Sequence, residues 1–293
     1  MKLCVTSKLL KTDEAGNPVP FEEMAAFAKE AGFEELDLSL DCPMLMRKDW
    51  ETELDKRMNT LTRLGIGLKY MHLPFDYPKE NILEAWEQFH TATMRGIAAM
   101  ARCHVRQAAI HPRSYVTKEY DEDEEYARAL QFLRPYCDEA ARMGVELGIE
   151  NMRGPGRSAH AFLHRFGMDI DVLIRLADEL GQGICWDTGH GNISMQPQAK
   201  ALRKIGRRLR LVHINDNFGE DDVHLAPFLG KINWQEVMKA LGEIRYEGSL
   251  NLEVSCKNMP ETMRKAYANC LAASGRRLIT MFEGKSDKPP YMA

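Results

Sequence analysis

The sequence alternates eight times between a short apolar run and a longer segment with helical periodicity. Strands and helices that alternate in this way predict a parallel sheet, because each helix returns the chain to the start of the next strand. Eight such units in 293 residues suit one closed (β/α)8 barrel, or TIM barrel, a fold that takes about 250 residues. The apolar runs occupy residues 3–7, 35–40, 68–74, 107–112, 145–151, 183–190, 209–216 and 248–255.

We therefore predict an α/β fold, with a TIM barrel domain at residues 1–283 and a C-terminal tail at 284–293. Gly32 and Gly144 each follow an amphipathic segment, which is the usual position of a helix stop. A doubly wound open sheet is the alternative fold. That fold usually carries a glycine-rich phosphate-binding turn after its first strand, and "TSKLLKTDEAG" does not resemble one.

Composition limits the classes of function. The formal net charge of −4 disfavours a protein whose main partner is nucleic acid. The seven cysteines include no Cys-x-x-Cys pair, which favours reduced thiols and a cytoplasmic protein. No run approaches the roughly 20 apolar residues of a membrane span, and the charged N-terminus does not resemble a signal peptide. We expect a small-molecule substrate, no membrane partner and a homo-oligomer.

Acids and imidazoles recur where the predicted strands end. In a parallel barrel these ends meet at one mouth, where the active site forms. One carboxylate there could simply cap a helix, and a structural polar network is the alternative for the whole set. Buried acids are costly, however, unless they are paired or bind a metal, so the set predicts a divalent ion such as Zn²⁺, Mn²⁺, Co²⁺ or Mg²⁺. Its members are His72, His111, Glu150, Asp187, His190, His213, Asp222, His224 and Glu253.

Four motifs resemble the xylose isomerase-like barrel superfamily, which includes sugar isomerases and epimerases, inosose and dehydroshikimate dehydratases, and endonuclease IV. They are "IEN" at 149–151, "WDTGH" at 186–190, "VHIND" at 212–216 and "LEVS" at 252–255. The resemblance implies that one metal ion binds Glu150, Asp187, His213 and Glu253. It also implies substrate-binding or second-metal roles, with up to three ions in all, for His72, His111, His190, Asp222 and His224.

The function that this resemblance implies is a divalent-metal-dependent isomerase or epimerase. Its substrate would be a sugar, a sugar phosphate, or a related polyol or keto-acid. Glu150 and Glu253 would transfer a proton at the carbon next to a carbonyl, while the metal stabilises the developing enediolate. Three further residues are candidates for substrate binding. Arg153 and Arg157 could hold a phosphate or carboxylate or could simply belong to a solvated loop. Trp234 could form a wall of the pocket, although anchoring the helix that it opens explains it better.

Other functions stay open at this point. One is an endonuclease IV-like, multi-zinc phosphodiesterase on abasic DNA, although the acidic "NFGEDDVH" would then lie beside the DNA backbone. Another is a dehydratase of the inosose or dehydroshikimate type. A third is a barrel that binds a sugar without catalysis. The chain also departs from the free-ketose 3-epimerases, since residues 154–156 lack their second Glu and residues 217–219 lack their Arg.

Overall fold

The eight predicted strands form a closed parallel barrel in chain order, which confirms the predicted TIM barrel. A computed structural model describes residues 1–78, 82–156, 163–257 and 259–285. Each strand pairs with its neighbours in the sequence, and the last strand pairs with the first. The strands are β1 Leu3–Thr6, β2 Glu35–Ser39, β3 Gly67–His72, β4 Gln107–Ile110, β5 Glu146–Glu150, β6 Gly183–Asp187, β7 Leu209–Ile214 and β8 Leu250–Leu252.

Helices lie between the strands and cover the outside of the barrel. Two helix ends confirm the glycine assignments, since Gly32 and Gly144 adopt φ of 94° and 71°, where glycine is favoured. The α-helices in the described part of the chain are α1 Phe21–Glu30, α2 Cys42–Leu45, α3 Trp50–Leu64, α4 Leu83–Arg102, α5 Glu122–Met143, α6 Ile170–Glu179, α7 Thr188–Ile193, α8 Gln198–Ile205, α9 Trp234–Glu243 and α10 Glu261–Phe282.

Side chains alternate between the barrel interior and the helix layer, as the twofold period of a strand requires. Trp186 points outward and donates from Nε1 to Gln198 Oε1 of α8 at 2.8 Å. Its neighbour Cys185 belongs instead to a separate buried cluster of five residues. That cluster, inside the barrel, comprises Cys4, Tyr70, Ala109, Cys185 and Leu211. A packed apolar layer therefore closes the barrel beneath the polar residues at the strand ends.

One sequence assignment needs correction. The run at 183–190 was expected to be a single strand carrying His190, but β6 ends at Asp187 and His190 lies in α7. The carboxylate of Asp187 caps this short helix, accepting from the backbone N–H of His190 at 2.7 Å. A side-chain acceptor at this position satisfies a helix N–H that has no partner within the helix. His190 consequently approaches the mouth from a helix and not from a strand.

The chain beyond the barrel is only partly described. Helix α10 ends at Phe282, and of the predicted tail at 284–293 the structure describes residues 284 and 285. The boundary between domain and tail therefore stays a prediction. Within the described ranges, no helix combines the length and the apolar character needed to cross a bilayer.

Gly148 of β5 gives a test of the packed interior. A Cβ atom there would meet Leu211 Cδ2 at 2.5 Å and Cys185 N at 3.0 Å. We expect Gly148→Ala to lower the free energy of unfolding by about 1–3 kcal/mol, because overpacking strains a filled core. Gly242→Ala in α9 is the control, since its nearest neighbour would lie at 3.8 Å and alanine favours a helix by up to about 1 kcal/mol. Equal effects in denaturant unfolding would contradict this account of the interior.

Candidate metal centre

Four predicted ligands converge at the carboxyl ends of β5 to β8. Glu150, Asp187, His213 and Glu253 each offer one ligand atom, and these atoms all lie within 4.8 Å of one another. His213 is central to the group, because its Nδ1 lies 3.2 Å from Glu150 Oε2 and 3.2 Å from Glu253 Oε2. We call these four residues the central group.

Burial shows that the central group fits a cation. Glu150 is 1% exposed, and Asp187 and His213 are fully buried. Neither ring nitrogen of His213 makes a hydrogen bond of acceptable geometry within the described part of the chain. An unsatisfied buried polar group costs about 1–3 kcal/mol. A metal ion bound to a ring nitrogen of His213 would remove that cost. The mixed nitrogen and oxygen donors suit Zn²⁺, Mn²⁺ or Co²⁺.

The electrostatics of the central group also call for positive charge. Burial raises the pKa of Asp187 to about 6, because a carboxylate loses its hydration there. Burial opposes ionisation of Glu150 too, yet His213 and His111 outweigh it and hold the pKa of Glu150 well below its usual value. His213 thus supplies positive charge of the kind that a divalent ion would supply when bound, and neutral His111 contributes a hydrogen bond to Glu150.

Buried side chains that were not predicted from the sequence lie behind the candidate ligands. Asp37 of β2 is 1% exposed, and its Oδ2 lies 3.6 Å from His213 Nε2. The same oxygen accepts from Asn251 Nδ2 at 2.7 Å. On the other side, Asn215 Nδ2 donates to Asp187 Oδ2 at 2.8 Å. An acid at an inward position of the apolar run 35–40 was the available signal for Asp37.

A second group of three predicted residues adjoins the first. His190 Nε2 and His224 Nε2 each lie 3.3 Å from an oxygen of Asp222. Their Nδ1 atoms are paired with backbone oxygens, His190 with Asn151 at 2.8 Å and His224 with Glu253 at 2.6 Å. A backbone carbonyl on one ring nitrogen leaves the lone pair on the other, as in many metal-binding histidines. These three residues could hold a second ion.

The remaining predicted histidines face Glu150. His72 Nε2 lies 3.4 Å and His111 Nε2 lies 3.1 Å from Glu150 Oε2. His72 Nδ1 is paired with the carbonyl of Leu73 at 2.8 Å. Burial lowers the pKa of His111 to about 4, so this imidazole is neutral and can act as a ligand or hydrogen-bond partner. All nine acids and imidazoles singled out in the sequence therefore meet at one mouth.

Two of the three predicted substrate-binding residues are described by the structure, and they lie in different places. Arg153 borders the second group, with its Nε 3.8 Å from Asp222 Oδ2. Arg157 falls outside the described residues. Trp234 is 3% exposed, and its Nε1 donates to Asp216 Oδ2 at 2.9 Å. Trp234 thus holds the loop after β7. It is not among the described residues that line the cavity next to the central group, which is described below.

A cavity of about 280 Å³ opens above the central group. Of the central group, Glu150 and Glu253 line it, whereas Asp187 and His213 lie behind them. Glu253 is the most exposed of these side chains, at 15%. The same cavity is bordered by Phe75 and by lysines that follow β1 and β8. Glu253 is therefore accessible to a bound molecule, and Glu150 borders the same cavity with 1% of its surface exposed.

The chain belongs to the xylose isomerase-like TIM barrel family, whose model matches residues 25–273. The D-psicose 3-epimerase of Enterocloster bolteae is 33% identical over 136 residues, which is 45% of this chain and 41% of that protein. The chain spans less than half the length of the curated relatives it matches, with 23% to 49% of each covered.

Solved structures share the whole fold at low identity. A xylose isomerase domain protein from Alicyclobacillus acidocaldarius superposes with a TM-score of 0.75 and 18% identity, covering 97% of this chain and 100% of the other. A D-tagatose 3-epimerase-like protein gives a TM-score of 0.71 and 21% identity, covering 97% and 99%. At these identities the similarity establishes the barrel architecture.

Metal binding should stabilise the folded protein. A ligand present at 100 times its Kd adds about 2.7 kcal/mol to the free energy of unfolding. We therefore expect Mn²⁺, Co²⁺ or Zn²⁺ to raise the midpoint of thermal unfolding, and His213→Ala to abolish that shift. His90→Ala, at an exposed position of α4, should keep it. A metal-induced shift that survives His213→Ala would place the ion elsewhere.

Asp37 should act on metal affinity through His213. We expect Asp37→Asn to weaken Co²⁺ binding roughly 10- to 100-fold, as the loss of an outer partner of a metal-binding histidine usually does. The control is Glu35→Gln, a buried acid on the same strand that pairs with Ser249 and Lys2. The measurement is a Co²⁺ absorbance titration of each folded variant. Equal affinities of Asp37→Asn and the wild type would refute this role.

Proposed function

We propose that the protein is a divalent-metal-dependent epimerase or isomerase that acts on a small carbohydrate-like substrate. The observation that carries this proposal is the pair of glutamates, Glu150 and Glu253, that line one cavity and share His213. The central group would hold one ion, and the group of His190, Asp222 and His224 would hold a second or bind the substrate. When bound, the ion supplies positive charge that stabilises negative charge developing on a substrate oxygen.

The two glutamates would remove and return the carbon-bound proton of the substrate. Both are carboxylates at a metal-binding mouth, which suits removal of a proton from a carbon next to a carbonyl. One would take the proton, and the other would return one to the same or the adjacent carbon. His111, which burial keeps neutral, lies beside Glu150 and would hydrogen-bond a substrate hydroxyl or Glu150 itself. His190, which lies in α7, would likewise hydrogen-bond a substrate hydroxyl or Glu150.

The size of the cavity and the curated relative both support a small substrate. The volume of about 280 Å³ is just below the usual range of ligand pockets, which is about 300 to 1,000 Å³. The name D-psicose 3-epimerase belongs to a relative that is 33% identical over part of the chain. The proposed class, a sugar or a molecule of similar size, agrees with both observations.

A multi-zinc phosphodiesterase is the second candidate, favoured by the histidines around Glu150 and by the group of His190, Asp222 and His224. Two observations weigh against it. The loop after β7 carries Glu220 and Asp221 beside Asp222, which would repel a nucleic-acid backbone. The cavity is also small, at about 280 Å³, whereas duplex DNA needs a long groove.

Hydrogen exchange at carbon tests the proposed reaction. In D₂O, the metal-loaded protein should place deuterium at a carbon next to the carbonyl of ketoses, including D-psicose, or of phosphorylated or carboxylated ketoses. We expect Glu150→Gln or Glu253→Gln to slow this exchange by about 100-fold or more, since general acid–base catalysis contributes about 10²- to 10⁴-fold. Magnetic resonance or mass spectrometry of the recovered substrate measures the exchange.

The matched control for exchange is Glu146→Gln, because Glu146 begins the strand that Glu150 ends. It should exchange at the wild-type rate. The metal content of each variant is also measured. It shows whether a variant loses exchange because the general base is gone or because the metal ion no longer binds. Exchange that persists in both glutamate variants would refute their assigned roles. Cleavage of an abasic-site duplex without any exchange would support the phosphodiesterase. A product that lacks one water relative to the substrate would identify a dehydratase.

A further inference from the structure

The cavity above the metal ligands carries unequal charge on its sides. Its acids are Glu150, Asp222 and Glu253, which belong to the two candidate metal groups. Its other charged residues are three lysines, two after β1 and one after β8, which occupy the remaining border with Thr6 and Ser255. A divalent ion would offset two of these negative charges, and the three lysines would then outweigh the negative charge that remains. The lysines are Lys8, Lys11 and Lys257, and we call them the lysine border.

Lys8 lies deepest in the lysine border. It is half-buried, whereas Lys11 and Lys257 are exposed. Its Nζ lies 4.0 Å above the centre of the Phe75 ring. That ring packs 4.8 Å from the ring of His72 and 5.0 Å from the ring of His111. The ring of Phe75 therefore separates the ammonium group of Lys8 from His72 and His111, which face Glu150.

Lys8 has no ion-pair partner in the described part of the chain. Its Nζ lies instead over the face of Phe75. Burial lowers the pKa of Lys8 despite the more distant carboxylates of Glu253 and Asp76. A partly desolvated cation without a counter-ion is unfavourable, so an anion that entered the cavity would remove this cost.

The backbone that carries Lys8 is held in place before any ligand arrives. Lys8 N donates to Thr6 Oγ1 at 3.2 Å, and Leu9 N donates to the Thr6 carbonyl at 3.0 Å. Cys256 N donates to the Leu9 carbonyl at 2.7 Å, which joins the loop after β1 to the loop after β8. The lysine border is thus anchored, and a preorganised site loses less entropy on binding.

We propose that the substrate carries an anionic group, a carboxylate or a phosphate, which binds the lysine border while the rest of the molecule lies over Glu150 and Glu253. This inference rests on the proposed function and narrows its substrate class. A neutral sugar would leave the Lys8 ammonium without a counter-ion. An anionic substrate would match the two charges of the cavity, with its carbonyl end at the metal and its anionic end at the lysines.

Three four-carbon probes that differ at one end test the proposal: erythritol, erythronate and erythritol 4-phosphate. Calorimetric titration into the Mn²⁺-loaded protein should show at least one of the two anions binding about tenfold or more tightly than erythritol, a difference of about 1.4 kcal/mol. The anion that binds more tightly identifies the group as carboxylate or phosphate. Added NaCl should weaken the anion and leave erythritol unchanged.

Variants of Lys8 separate the lysine border from the metal as the source of the preference. Lys8→Met should remove the preference and keep the affinities for Mn²⁺ and erythritol, whereas Lys8→Arg should retain it. Lys239→Met, at an exposed position of α9, should behave as the wild type. A preference that survives Lys8→Met, as direct binding of the anion to the metal would produce, overturns the proposal. So does equal affinity for all three probes.

The exchange experiment keeps the two proposals distinguishable. Carbon exchange on neutral ketoses together with no preference for anions would refute the anionic substrate and leave the epimerase or isomerase intact. An anion preference lost in Lys8→Met, without carbon exchange on any carbonyl compound, would support the lysine border and refute the proposed reaction.

Discussion

The structure depends on the need to neutralise buried carboxylates at the mouth of the barrel. Glu150 and Glu253 both approach His213 Nδ1 at 3.2 Å, with Asp187 in the same group. Removing such acids from water is costly, and only nearby positive charge makes their ionised forms favourable. Imidazoles can supply that charge by holding protons, and a divalent ion can supply it more compactly. The chemistry of the protein follows from this balance.

The barrel fixes the positions of the acids and imidazoles at its mouth. Inward positions of the strands first build an apolar layer around Cys185 and Leu211 and then place donors directly above it. Backbone carbonyls hold one nitrogen of His72, His190 and His224, so the other nitrogen of each ring faces the mouth. Two side chains that were not expected from the sequence lie behind the candidate ligands: Asn215 donates a hydrogen bond to Asp187, and Asp37 approaches His213. Such outer contacts orient ligands and tune their basicity.

The charge on the cavity walls limits which molecules the cavity binds, and membership of the family does not by itself determine that charge. Members of one fold share a scaffold, while the residues that border the cavity decide what binds. Here the acidic wall belongs to the candidate metal groups, and the opposite charge comes from loops that follow β1 and β8. A backbone hydrogen bond between Cys256 and Leu9 joins those two loops. Closure of the barrel between β8 and β1 therefore also assembles the cationic border.

The sequence by itself determined the eight strand–helix units and the nine acids and imidazoles of the mouth, because a strand reveals its period and its polar end locally. It did not determine that His190 lies in a helix, since the turn after Asp187 depends on a capping hydrogen bond. Nor could it show that Trp234 holds a loop through Asp216, or that Asp37 reaches His213 from β2. These contacts join residues far apart in the chain, and only the closed barrel brings such residues within bonding distance.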